Sequence, residues 1–155
     1  MRLLEDRITP HFRLSEFSNT EDGDVVLLNP DVIRFIQMLE EFRIWYDRIM
    51  HINSGYRTKS YNAKWKGDAK SYHLKGLAAD IRLPLEYYKF TEERKLEFLN
   101  NVKDKWYEIC DRYIMPSTGQ RILGSVIWEP TWIHLDVRTG KRYFDDKRRD
   151  LSWKV

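Results

Sequence analysis

The chain has one cysteine, Cys110. An internal disulfide is therefore excluded, and so is a zinc site built on several thiolates. Cys110 sits in a helical pattern and is expected to be a buried, inert thiol. An excess of one charge is also missing: 27 Lys and Arg stand against 24 Asp and Glu, a net +3, and the two signs are interspersed. Such a balance permits a modest attraction to nucleic acid or an acidic cell wall and demands neither. No apolar run approaches the roughly eighteen residues of a membrane span. Met1 to Thr9 alternates charged and apolar residues and lacks the apolar stretch of a secretory leader. A protein made in the cytoplasm, without an exit signal of its own, is the expectation. Repeats, linkers and low-complexity segments are absent as well.

What is present is enough for a core. The 155 residues are 42% hydrophobic and 33% charged, and 14% are aromatic, with six Trp and nine Tyr. This composition suits one soluble domain over residues 1–155, with a core over 10–144 and a charged C-terminal tail. A monomer is expected. Phe12, Leu14 and Phe17 look like a lead-in that packs on the domain, and Glu21 to Asp24 reads as a polar loop. Asn29-Pro30 is a helix start, followed by Val32, Phe35, Ile36, Leu39, Phe42, Trp45, Tyr46 and Ile49 at helical spacing. Ile52 to Ser54 is a short strand broken at Gly55, and Thr58 can cap a short helix from Tyr61 to Lys66. Residues 77–83 alternate as a strand that Pro84 stops. Thr91, with Glu92 and Glu93 behind it, starts a second long helix whose stripe runs Leu96, Leu99, Val102, Trp106, Ile109, Cys110 and Tyr113. Strands over Arg121–Trp128 and Trp132–Val137 and an extended segment near Tyr143 complete the pattern. The fold class is α+β, a small, mostly antiparallel sheet with helices packed on one face.

The chemistry concentrates in Ser71-Tyr72-His73-Leu74-Lys75-Gly76-Leu77-Ala78-Ala79-Asp80. His73 and Asp80 stand seven residues apart around Gly76, and His134 follows inside a strand-like run. Two imidazoles and a carboxylate are a plausible three-ligand zinc set with an open fourth position. Strand alternation puts Asp80 and Arg82 on one face of their strand, and Trp132, His134 and Asp136 on one face of theirs. If these strands are neighbours, Asp80 and His134 converge, and His73 swings in across Gly76. A continuous helix would separate His73 from Asp80 by roughly 10 Å of rise, so loop followed by strand is the better reading.

In this order, the Ser71-x-His73, Gly76-Leu77-Ala78-Ala79-Asp80 and Trp132-x-His134 elements resemble the zinc D-Ala-D-Ala carboxypeptidase family. That family shares its fold with the hedgehog signalling domain and several phage endolysins. The resemblance extends to Ser54-Gly55-Tyr56-Arg57, to Pro10-His11-Phe12 and to Ser15-Glu16-Phe17, and so covers residues 10–137. It implies zinc held by His73, Asp80 and His134, with Ser71 at the edge of the metal holding substrate or a ligand. It also implies Arg57 as the arginine that binds substrate and stabilises the developing oxyanion. Some members carry the catalytic acid three residues before the last histidine, where this chain has Thr131. Others carry a histidine two residues before it, where Trp132 stands. Glu129, five residues before His134, is the candidate general base and Asp136 its competitor, unless Asp136 pairs with Arg82.

The remaining histidines have plainer readings: His11 is a structural part of the lead-in, and His51 a cation near a helix end. Trp128 and Trp132 either line a cleft or pack in the core. Lys64, Lys66 and Lys70 form a solvated face that would meet acidic wall polymer if it borders the cleft. The resemblance implies a zinc peptidase acting on peptidoglycan or its peptide precursors, as carboxypeptidase or endopeptidase. A phage lysis enzyme, released by the lysis machinery or carried on a virion, fits the missing leader. The alternative is a zinc-containing cell-wall or protein binding module without catalysis. A nucleic-acid-binding domain is disfavoured, because the charge excess is small and no nucleic-acid motif appears.

Overall fold

Asn29 and Pro30 begin the first helix as their chemistry dictates: the Asn29 side chain accepts from the Val32 amide at 2.9 Å, and proline occupies the first turn. The computed structural model describes residues 7–18, 26–64, 68 and 70–149. The polar loop at Glu21 to Asp24, Lys66, and the tail from 150 onward lie outside those residues. Among the described residues the chain runs α1 (Pro30–Tyr46), β1 (Ile52–Ser54), α2 (Lys59–Lys64), β2 (Ala78–Arg82), α3 (Glu92–Cys110), β3 (Ser125–Trp128), β4 (Trp132–Asp136) and β5 (Tyr143–Asp146). Short 3-10 turns at Leu14–Phe17, Tyr72–Lys75 and Leu85–Lys89 fill the connections.

The strands form one sheet in the order β1-β2-β4-β3-β5. Three pairings are antiparallel, but β5 lies parallel to β3, so the sheet is mixed rather than mostly antiparallel. The segment from Trp132 to Gly140 carries the chain through β4 and back past β3 before β5 begins, which gives β5 the direction of β3. The fold is α+β as expected. Phe35 and Phe42 of α1 meet Trp106 of α3 edge-on, with ring centroids 6.2 and 6.1 Å apart. These rings join Ala79, Ile81, Val126, Ile133 and Leu135 of the sheet in one hydrophobic core. Trp106 also donates from Nε1 to the Asp136 carbonyl at 2.9 Å, tying α3 to the end of β4.

Several boundaries differ from the periodicity. α1 ends at Tyr46 because Asp47 turns left-handed (φ 53°), so Ile49 of the expected stripe falls beyond the helix and is exposed; Trp45, within the helix, is exposed as well. In α3 Leu96 is exposed and Phe98, outside the expected stripe, is buried instead. β3 starts at Ser125 rather than Arg121, because Gly124 adopts a left-handed conformation (φ 78°) in which its amide and that of Leu123 both bond the Arg138 carbonyl. Trp128 is buried in the core edge-on to Phe144, with centroids 4.8 Å apart. Phe12 and Phe17 pack in the core as a lead-in should. His11 bonds Glu40 through both its amide and Nδ1.

Candidate metal centre

β2 and β4 are neighbours, and their antiparallel register places Asp80 directly opposite His134. Cross-strand partners project to the same face, so a carboxylate and an imidazole meet there. Ser71 accepts from the His73 amide at 3.2 Å and so caps the turn Tyr72–Lys75 that carries His73. Gly76 ends that turn with φ 68°, a left-handed conformation open to glycine at little cost, and leads directly into β2. His73 is thereby brought over Asp80.

One ligand atom each from His73, Asp80 and His134 lies within 4.8 Å of the others, a group that could hold a metal ion. The atoms are identifiable. Asp80 Oδ1 is 3.3 Å from His73 Nε2 and 3.0 Å from His134 Nδ1. The other nitrogen of each ring is held from behind: His73 Nδ1 donates to the Gly55 carbonyl at 2.7 Å, and His134 Nε2 lies 2.9 Å from Asp136 Oδ2. Hydrogen bonds of this kind fix the tautomer and leave the inner nitrogen as the metal-facing lone pair. Two neutral imidazoles and one carboxylate, oriented this way, are a donor set that fits zinc.

The electrostatics agree with the clustering. Burial opposes charge on Asp80, but His73 and His134 beside it outweigh that effect and hold its carboxyl far below the usual range. Burial likewise opposes charge on His134, yet hydrogen bonds to Asp136 and Asp80 push its pKa up to about 9. The His134 ring bridges the Asp80 and Asp136 carboxylates.

Arg57 enters the same cluster. Its Nη2 donates to Asp80 Oδ2 at 3.1 Å, Nε to Ser54 Oγ at 2.9 Å and Nη1 to Asn62 Oδ1 at 3.3 Å. Two of its five N–H donors stand outside these three bonds. The expected Asp136–Arg82 pair does not form: Arg82 is opposite Trp132 and Asp136 opposite Ala78, at the two ends of the register. Asp136 bonds Arg138 instead, with Nη2 to Oδ2 at 2.6 Å and Nε to Oδ1 at 3.0 Å, and also accepts from Ser125 Oγ at 2.8 Å. Fully buried, saturated with donors and behind the His134 ring, it is badly placed to take a proton from a substrate or water. Glu129 lies just beyond β3, its amide bonded to the Trp132 carbonyl at 2.9 Å. That pairing sets it two cross-strand pairs beyond Ile127 and His134, about 7 Å along the strand.

Sequence reasoning named Gly55 only as a strand break and a motif residue, and passed over Asn62, Ser125 and Arg138. A signal existed for one support only: His134-x-Asp136 is a spacing of two on a strand, which gives both side chains one face. Nothing local could reveal that the Gly55 carbonyl reaches a ring eighteen residues away.

No curated protein and no solved structure matches the chain. A family model described as Peptidase M15 matches residues 10–108, well over half of the sequence, and so includes Arg57, His73 and Asp80 while ending before β4. M15 peptidases depend on zinc, which agrees with the donor set assembled here. The chain belongs to the peptidase M15 family.

Proposed function

We propose that this metallopeptidase hydrolyses a peptide bond in peptidoglycan, with His73, Asp80 and His134 as its zinc ligands. The observation that carries the reading is the convergence of His73 Nε2, Asp80 Oδ1 and His134 Nδ1, with both rings anchored from behind. Zinc bound there supplies Lewis-acid polarisation of the scissile carbonyl and lowers the pKa of a water toward neutrality. Arg57, held by Ser54, Asn62 and Asp80, has N–H donors left to stabilise charge developing on the carbonyl oxygen. Ser71 contributes twice: it caps the His73 turn and lines the cleft into which His134 opens, where substrate backbone can be held. Glu129 is the proposed general base. It takes a proton from the attacking water as the C–O bond forms and returns it to the amine as the C–N bond breaks.

A second reading is a zinc-stabilised binding module. It is favoured by Thr131, which stands where some relatives carry the acid, and by Glu129 not being among the residues that line the His134 cleft. One experiment separates the two. Purified protein is assayed for zinc and for new amino groups released from peptidoglycan, beside His134→Ala and Glu129→Gln. Zinc content with cleavage that both variants abolish supports the peptidase. Zinc without cleavage of several wall types supports the module, and a protein that takes up no zinc overturns both.

A further inference from the structure

A cleft of about 790 Å³ opens onto His134. Among the described residues its lining carries four cationic side chains, Lys70, Lys75, Arg138 and Lys147, against one carboxylate, Asp68. The whole chain is nearly balanced, with 27 basic and 24 acidic residues, so this cleft gathers much of the excess. Arg138 is not available to a ligand in the ordinary sense. Its guanidinium is forked onto Asp136 and sits between the Tyr72 and Tyr143 rings, 5.0 and 5.1 Å from their centroids. It braces two aromatic walls of the cleft and links them to the support of His134. The lysines are different. Lys70 and Lys75 are exposed, Lys75 resting its Nζ over the Tyr72 ring 5.2 Å from the centroid with no carboxylate partner among the described residues, and Lys147 Nζ is 4.0 Å from Asp145, beyond hydrogen-bond length.

We infer that this cleft is a subsite for a carboxylate-bearing arm of the peptide substrate, received by Lys70, Lys75 and Lys147 beside the Tyr72 and Tyr143 walls. The inference rests on the peptidase reading, since it is the opening onto His134 that makes the ligand a substrate. Lysines suit such a subsite, because ammonium groups on flexible stems meet single carboxylates without the rigid geometry an arginine fork imposes. The aromatic walls cover the apolar backbone and side-chain stems between the charges. A duplex or single-stranded nucleic acid would need a longer basic track than one cleft provides. Asp68, in the lining, disfavours the whole cleft accepting a polyanion of high charge density.

The test uses zinc-loaded protein and two synthetic stem peptides of one sequence, one with free side and terminal carboxylates, the other with those carboxylates amidated. Binding is measured by calorimetry and cleavage by mass spectrometry. The free-acid peptide is expected to bind roughly three- to tenfold more tightly, as suits two or three partly screened ion pairs, with the gap closing at high salt. Lys70→Gln, Lys75→Gln and Lys147→Gln combined are expected to bring the free-acid peptide to the level of the amidated one, with zinc content verifying the fold. Equal binding of the two peptides overturns the subsite, and so does a preference that survives in the triple variant. Cleavage of both peptides with equal affinity overturns the subsite while leaving the peptidase reading intact. Preferential binding of the free acid without cleavage supports the subsite and counts against the peptidase.

Discussion

His134 Nε2 lies 2.9 Å from Asp136 Oδ2, two residues along the same strand and across the ring from Asp80. The carboxylate that looked like a competing base is thus the support of the His134 ring. Removing its charge should loosen the metal without dismantling the sheet. Asp136→Asn is expected to weaken zinc binding by roughly 10- to 100-fold, as measured by competition with a chromophoric chelator, while the circular dichroism of the fold is retained. Asp136→Ala should go further and destabilise the protein, because Arg138 and Ser125 would lose their buried hydrogen-bond acceptor as well as the counter-charge.

The same contact makes zinc uptake depend on pH. In the metal-free protein the His134 pKa stands at about 9, raised from 6.5 because two carboxylates outweigh the burial that opposes its charge. A raised folded-state pKa gives stability that is complete below the unfolded value and is lost as pH rises through the folded one. The metal-free protein should therefore soften between pH 6.5 and about 9. Zinc has to displace that proton, so its apparent affinity should climb about tenfold per pH unit over the same window. Calorimetry in buffers of different ionisation enthalpy should find close to one proton released per zinc at neutral pH. A release near zero would show that the ring is already neutral.

Arg57 and Glu129 should separate in their effects. Arg57→Ala removes donors from both Asp80 and the proposed oxyanion, so zinc affinity and turnover are expected to fall together, turnover by about 100- to 1,000-fold. Glu129→Gln should leave zinc content near one per chain and cut kcat by about 100- to 10,000-fold with little change in KM. Unchanged kcat in Glu129→Gln removes it as the base and leaves the metal cluster standing.

Gly55 ties the lead-in to the metal centre. A Cβ there would lie 2.7 Å from the Phe17 Cα, a backbone atom that cannot step aside, while the Gly55 carbonyl holds His73 Nδ1. Gly55→Ala is expected to cost about 1–3 kcal/mol in chemical denaturation. It should also lower zinc affinity, although residue 55 is not one of the ligands.

Much of the site was legible because its information is local. The order His73, Gly76, Asp80, His134 names the donor set, and the two-residue period of strands put Asp80 and His134 each on a polar face. The caps at Asn29 and Thr91 formed as expected, since each needs only its own first turn. The end of α1 was not legible, because the apolar spacing runs on through Ile49 while Asp47 breaks the backbone.

Sequence alone, then, determined which residues could offer a metal a lone pair and which face of each strand carries Asp80 and His134. Only the tertiary structure decided that β2 lies against β4 with Asp80 opposite His134, that β5 runs parallel to β3, and that Asp136 turns to Arg138 and not Arg82. Periodicity fixes the direction a side chain leaves its own strand. It contains nothing about which strand comes alongside, in what register, or which buried charge must be paired once water is excluded, and those choices are made by the packing of the whole core.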